Sequence, residues 1–126
     1  MADARRQLLS IIEMGGYPNF GPFYQGMGFD VTVLNSQRKA RNYLKKQVPD
    51  VIVCEYNFQT DFRDRTSNLE TLLAILQKLP QVRLVVFYMP EHESQFNQVR
   101  QRFGIHAGIA FPVDEQALRE ALQPTS

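Results

Sequence analysis

Asp50-Val-Ile-Val-Cys-Glu-Tyr-Asn-Phe58 joins an unbroken apolar run to a carboxylate and an amide. The run Val51–Tyr56 is short, rich in β-branched residues and preceded by Pro49, as is typical of a strand buried in the middle of a parallel sheet. Cys54 then belongs to the core, and Glu55 lies where the strand ends. The stretch therefore predicts a central strand with a polar position at its carboxyl end.

Apolar runs of the same kind alternate with segments of helical period along the rest of the chain. The other predicted strands are Leu8–Glu13, Val31–Leu34, Arg83–Tyr88 and Gly108–Phe111. The predicted helices run through a short aromatic segment after Asn19, from Asn35 or Ser36 to about Gln47, from Ser67 to Pro80, from about Glu91 to Gly104, and from Asp114 onward. This alternation predicts βαβ units with right-handed crossovers. We expect an α/β fold, a three-layer αβα sandwich of the flavodoxin-like type, with five parallel strands in the order 2-1-3-4-5.

Length and composition limit the class of protein. A chain of 126 residues with 44% hydrophobic and 21% charged residues fits one globular domain, which we expect to span residues 1–126. The net charge of +1 argues against binding to nucleic acid or anionic membranes by bulk charge. Cys54 is the only cysteine, so no disulfide forms within the chain. No apolar stretch predicts a membrane span or an export signal, and we expect a cytoplasmic protein.

Function in such a sheet is expected at the carboxyl ends of the strands, near the switch point between the first and third strands. The residues predicted there are Glu13, Glu55, Tyr88, Phe111 and Pro112. Glu13 and Glu55 could face each other and hold a hard cation such as magnesium. Because two carboxylates alone make a poor magnesium site, we predict no metal and no cofactor.

Asp50–Phe58, followed by Leu84-Val-Val-Phe-Tyr88 and Ala110-Phe-Pro112, resembles the receiver domain of bacterial two-component response regulators. The resemblance covers essentially the whole chain and rests on element order, length and the residues at the strand ends. In that family the first strand ends in an acidic pair that binds magnesium, and the third ends in the phospho-accepting aspartate. The fourth strand ends in Ser or Thr, and the fifth ends in Lys followed by Pro.

Most of these family positions hold other residue types in this chain. In the same order they are Glu13 with Ile12 or Met14, Glu55, Tyr88, and Phe111 followed by Pro112. Phosphoryl transfer depends on positioning and charge neutralisation, so loss of the Lys ammonium and of one carboxylate should remove much of the catalysis. The resemblance therefore implies a degenerate form, a pseudo-receiver, which keeps the fold without standard phosphorylation and has no catalytic residues.

Two further segments are predicted at the same edge of the sheet. Gly15-Gly-Tyr-Pro-Asn-Phe20 brings glycines and aromatic rings there, and residues 59–66 form a long charged loop. The candidate pocket or interaction residues are Gly15, Gly16, Tyr17, Asn57, Asp61, Arg63, Asp64 and Arg65. Without a functional role, Glu55 would be a solvated carboxylate or one paired with Arg63 or Arg65.

These observations favour two functions over a third, a phosphorylatable receiver with an unusual site, because three of the expected family positions hold other residues. The first is a non-enzymatic signalling or regulatory module that acts through a protein partner, or through self-association on the face from Glu91 to Leu122. The alternative is a small-ligand-binding protein or an enzyme that uses the crevice at the carboxyl ends of the strands. A basic helix bears Arg38, Lys39, Arg41, Lys45 and Lys46. Such a run is usually a solvated face, so nucleic-acid binding is not expected.

Overall fold

The computed structural model describes residues 6–12, 20–56, 68–103 and 105–122. The strands are β1 (Arg6–Ile11), β2 (Phe29–Leu34), β3 (Val51–Glu55), β4 (Arg83–Tyr88) and β5 (Ala107–Ala110). The helices are α1 (Gly21–Gly26), α2 (Gln37–Leu44), α3 (Asn68–Leu76), α4 (Glu93–Arg102) and α5 (Glu115–Leu122), with a 3-10 turn at Pro90–His92 before α4. None of the described helices has the length and apolar composition needed to cross a membrane.

The five strands form one sheet in the order β2-β1-β3-β4-β5. Every neighbouring pair is parallel, and β1 lies between Phe29–Leu34 on one side and Val51–Cys54 on the other. The predicted fold class and strand order are therefore confirmed. The chain adds β2 on one side of β1 and then β3, β4 and β5 on the other side. Because crossovers between parallel strands are right-handed, this change of side places helices on both faces of the sheet.

Each face of the sheet has its own apolar cluster. On one face, residues of β1, β3, β4 and β5 pack under α1 and α5, through Phe20, Tyr24, Leu118 and Leu122. On the other face, residues of β1, β3 and β4 pack under α2, α3 and α4, through Ala40, Leu72, Leu73, Phe96 and Val99. This arrangement is the predicted three-layer sandwich.

The helix starts follow local capping residues where these are described. Ser36 Oγ accepts a hydrogen bond from the Lys39 N–H at 3.1 Å, and Asp114 Oδ2 accepts one from the Ala117 N–H at 3.2 Å. Both residues were predicted as starts, and both cap their helices by satisfying N–H groups of the first turn.

Several predicted boundaries differ from the observed ones by one to four residues, and the largest difference is the end of α3 at Leu76 instead of Pro80. α2 ends at Leu44 instead of about Gln47, because Lys45 and Lys46 donate to the carbonyl groups three residues earlier and tighten the chain into a turn. α4 begins at Glu93 instead of Glu91, because Pro90 opens a 3-10 turn. The strand boundaries also shift, and β5 ends at Ala110, one residue before a cis peptide bond between Phe111 and Pro112.

Candidate functional site

The carboxyl ends of β1 and β3 lie side by side at the switch point of the sheet. Ile11 pairs with Cys54, and Glu55 pairs with Phe87 on β4. Backbone hydrogen bonds continue beyond the strand ends, from the Tyr56 N–H to the Phe87 carbonyl at 2.7 Å and from the Phe111 N–H to the Tyr88 carbonyl at 2.8 Å. Main-chain hydrogen bonds therefore hold this edge of the sheet and fix the backbone positions that carry its side chains.

Glu55 is buried at this edge, with 3% of its surface exposed. Side chains alternate along β3, so Glu55 lies on the same face as Val51 and Val53, the face covered by α1. The structure therefore excludes the solvated carboxylate among the alternatives for this residue. Burying a carboxylate costs free energy unless the surrounding groups compensate its charge. Glu55 is therefore an uncommon residue type for a buried position at a strand end.

A small pocket, partly open to solvent, lies against Glu55, and its cavity volume of about 10 Å³ has room for about one water molecule. Its lining consists of Ser10, Ile11, Ile12, Phe20, Tyr24, Val53, Cys54, Glu55 and Phe87. Most of these side chains are apolar, and the polar groups are the Ser10 hydroxyl, the Tyr24 hydroxyl and the Glu55 carboxylate. A small number of polar groups in an apolar pocket is the usual composition of a binding site for a small molecule.

Tyr24 is 2% exposed, and burial raises the pKa of its hydroxyl above the ordinary tyrosine value. The phenol therefore stays protonated at physiological pH, so it can offer a hydrogen-bond donor to a ligand but cannot act as a base. A charged carboxylate in such surroundings attracts a hydrogen-bond donor or a small cation more strongly than it would in water.

Tyr88 packs away from this pocket, on the face that α4 covers. Its ring stacks on Phe96 with the centroids 4.4 Å apart and the planes 16° apart, and Tyr56 contacts the same Phe96 ring at 5.6 Å. The lining residue contributed by β4 is Phe87. At this edge the structure thus separates Tyr88 from Glu55, by placing them on opposite faces of the sheet.

The end of β5 provides Phe111, which is partly buried, and Pro112, which is exposed. Phe111 has no charged group, so no cation is available at the position that the resemblance assigns to lysine. The remaining candidates lie outside the described residues: Glu13, Gly15, Gly16, Tyr17, Asn57, Asp61, Arg63, Asp64 and Arg65.

The described residues do not by themselves fit the magnesium ion that the receiver fold implies. Among the residues that line the pocket they supply one carboxylate, Glu55, and the other lining residues are mainly apolar. No group of three His, Cys, Asp or Glu side chains that could hold a metal ion comes together among the residues described. Since magnesium takes several oxygen ligands, we derive no step through a metal here.

Sequence reasoning did not identify Ser10, Phe20, Tyr24 and Phe87 as residues of this pocket. The sequence pattern predicts Tyr24 only on the apolar face of a short helix, whereas Phe20 ends the segment Gly15–Phe20 that is predicted at this edge of the sheet. One signal was present: Ser10 is a polar residue at an inward position of a strand, where apolar residues are expected, and it is 5% exposed.

The fold described above is similar to that of response-regulator receiver domains. The chain superposes on the chemotaxis protein CheY4 of Vibrio cholerae with a TM-score of 0.73 and 17% identity, over 95% of this chain and 98% of that one. It is also similar to a putative response regulator from Chloroflexus aurantiacus (TM-score 0.70, 17% identity, 93% of each chain). A receiver domain from Clostridium thermocellum matches with a TM-score of 0.70 and 17% identity, over 92% of this chain and 90% of that one.

These superpositions confirm the predicted resemblance at the level of the fold. No family model matches the sequence, and a comparison with curated proteins gives no match. The chain is therefore a divergent domain with the receiver fold.

Proposed function

We propose that this protein is a signalling or regulatory module with a receiver fold, which acts through protein contacts and is not phosphorylated. The observation that supports this most is the environment of Glu55. The carboxylate at the acceptor position is 3% exposed and lies in a mainly apolar pocket. Phe111 follows β5, where a phosphorylatable receiver has a lysine.

Phosphoryl transfer to a carboxylate needs an approach in line with the leaving group and cations that neutralise the developing charge. A buried Glu55 gives a phosphodonor little access, and Phe111 supplies no ammonium group. Glu55 also places its carboxylate one methylene further from the backbone than an aspartate would. All three differences reduce catalysis, so we expect the protein to remain unmodified by small phosphodonors.

Incubation with acetyl phosphate and magnesium, followed at once by intact-mass spectrometry, tests the proposal. We expect no phosphoryl adduct on the unaltered protein. A phosphorylatable response regulator in the same reaction checks the reagent, and Glu55→Asp combined with Phe111→Lys shows whether acceptor and cation together are enough to restore the reaction. An adduct on Glu55 of the unaltered chain would contradict the proposal.

The setting that goes with this function is also proposed. We place the protein in the cytoplasm of a bacterial cell, as a single domain over residues 1–126 in a two-component signalling system. The bacterial source of the similar structures supports this setting, as do the buried single cysteine, Cys54, and the one sheet that both apolar clusters share.

The pocket beside Glu55 favours a second candidate, a module that binds a small molecule at the carboxyl ends of β1 and β3. Such a ligand would have to widen the pocket, and it would then present hydrogen-bond donors to Glu55 and an apolar part to Phe20 and Phe87. A ligand-observed NMR screen with small amines and amides distinguishes the two candidates. Binding that disappears in Glu55→Gln would favour the second candidate over the first.

A further inference from the structure

The segment from Val31 to Pro49 has five cationic side chains and no acidic residue. Arg38, Lys39 and Arg41 belong to α2, and Lys45 and Lys46 follow it directly. All of these side chains are exposed except Arg41, which is partly buried. Within the part of the chain that the structure describes, none of them takes part in an ion pair. Their positive charge is thus presented to the solvent.

Two of these cations stand where helix stability disfavours them. Arg38 and Lys39 lie in the first turn of α2, beside the Ser36 cap, and this turn contains no acidic residue. The backbone N–H groups at a helix start already give it positive charge, so acidic residues are preferred there and cations are unfavourable. Arg41 adds to the repulsion, because it is three residues from Arg38 and four from Lys45.

The helices α4 and α5 have the opposite and favourable distribution. Glu93 and Glu115 lie in their first turns, and Arg100, Arg102 and Arg119 lie in their last turns. The charges in α4 and α5 are therefore favourable for the helix dipole, whereas those in the first turn of α2 are unfavourable. The stability of the helix does not explain the cations in the first turn of α2. Binding of a negatively charged partner does, because it would bring negative charge to this turn.

The neighbouring strand offers a second feature for such a partner. β2 stands at the end of the sheet order and pairs with β1 along one side. Val33 on β2 is 54% exposed and Val48 after α2 is 44% exposed, and these are the exposed large hydrophobic side chains among the residues described. An edge strand with an exposed apolar residue is a site where an extended peptide can add as a further strand.

We propose that β2 and α2 together dock an extended, acidic segment of a partner protein. The segment pairs its backbone with the outer edge of β2 and covers Val33. Its carboxylates face Arg38, Lys39 and Arg41. We call this the β2–α2 surface, defined by Val33, Arg38, Lys39, Arg41, Lys45 and Lys46. The inference deepens the proposed function, since it names the surface and the kind of partner of an interaction module.

A protein segment fits this surface better than a nucleic acid or a membrane does. The net charge of the chain is only +1, so the surface outside the five cations is acidic overall and repels a long polyanion. A phosphate backbone makes no use of an exposed valine or of an open strand edge. An alternating acidic and apolar peptide uses both, because its side chains point to opposite sides of the strand it forms.

The probe for the test is a short fluorescent peptide that alternates glutamate and valine. We expect fluorescence anisotropy to detect binding at low salt and affinity to fall as salt is added. Arg38→Glu with Lys39→Glu should weaken binding by about tenfold or more. The same variant should melt at a higher temperature than the unaltered protein, because it places acidic residues in the first turn of α2. If this variant binds the peptide more weakly and also melts at a higher temperature, unfolding cannot be the cause of the weaker binding.

The matched control is Arg100→Glu with Arg102→Glu on α4, which makes the same change in net charge away from this surface. We expect it to retain the affinity of the unaltered protein to within about twofold. Three results would overturn the proposal: equal loss in the control, absence of peptide binding at low salt, and tighter binding of duplex DNA or of phosphatidylserine vesicles than of the peptide. A phosphoryl adduct on Glu55 would overturn the proposed function alone, so the two failures are distinguishable.

Discussion

At the scale of single residues, Gly108 shows how closely β5 and α4 fit each other. A Cβ atom at this position would lie 2.6 and 2.8 Å from two carbon atoms of the Phe96 ring. Phe96 is fully buried, and its other side stacks on Tyr88. The ring therefore has little room to move away, and β5 accommodates it by having no side chain at Gly108.

Replacing Gly108 by alanine should therefore destabilise the protein. We expect Gly108→Ala to lower the free energy of unfolding by about 1–3 kcal/mol, as overpacking of a core does. Gly26→Ala is the control, because nothing lies within 4 Å of a Cβ atom there and Gly26 is helical. Urea unfolding measures both. If Gly108→Ala were as stable as the unaltered protein, the tight contact between α4 and β5 would be contradicted.

The sequence predicts where Glu55 lies but not how it is surrounded. An apolar run followed by a carboxylate is a local signal, and it places Glu55 correctly at the end of β3. Its burial depends on Phe20 and Tyr24, which come from a distant part of the chain. The stacking of Tyr88 on Phe96 likewise depends on the position of α4 over the sheet. Contacts of this kind follow from packing, which no local pattern encodes.

At the scale of elements, local chemistry predicts helix starts better than helix ends. Ser36 and Asp114 each bind an N–H group within their own helix, so the caps depend on neighbouring residues only. The end of α2 depends on a competition between continuing the helix and turning towards Pro49, which the apolar spacing alone did not resolve. The structure favours the turn, and α2 ends at Leu44.

The start of β5 is held to β4 by a histidine. The His106 N–H donates to the Leu84 carbonyl at 3.1 Å, and its Nδ1 accepts from the Leu84 N–H at 3.0 Å. Nδ1 can accept only while it carries no proton. Burial lowers the pKa of His106, and the positive charge of Arg83 lowers it further.

This arrangement makes stability depend on pH in a definite direction. Because the folded pKa of His106 lies below its unfolded value of about 6.5, the unfolded chain binds the proton more readily. The contribution of His106 is thus complete above about pH 6.5, decreases below it and is lost as the pH falls through the folded pKa. We expect urea unfolding midpoints to fall between about pH 7.5 and about pH 5. This fall should be smaller in His106→Gln, and equal falls in both proteins would contradict the assignment.

At the scale of the whole molecule, the sheet order was predictable because few topologies satisfy the constraints. Strict alternation of strands and helices requires parallel neighbours, and right-handed crossovers limit their order. The strand order β2-β1-β3-β4-β5 follows from these rules without knowledge of any single contact. The same order brings the ends of β1 and β3 together, so the location of the candidate site was predictable although its lining was not.

The predicted face for self-association, Glu91 to Leu122, presents mainly charge. Its exposed charged side chains are Glu91, Glu93, Arg100, Arg102, Asp114, Glu115, Arg119 and Glu120. Within the described part of this face no large hydrophobic side chain is exposed. Arg119 also lies over the Phe23 ring of its own chain, 5.1 Å from the centroid. The face therefore lacks the apolar centre that a stable dimer interface needs.

We expect light scattering to find a monomer at micromolar concentration, with weak association at most when the salt concentration is low. Each exposed ion pair contributes about 0–1 kcal/mol, and a stable interface buries roughly 1,000 Å² or more with apolar contacts. Arg100→Glu with Arg119→Glu should abolish any association that this face supports. A dimer that persists in high salt and in that variant must use another face. The β2–α2 surface would then be the first to examine, because Val33 supplies an exposed apolar side chain of the kind that the charged face lacks.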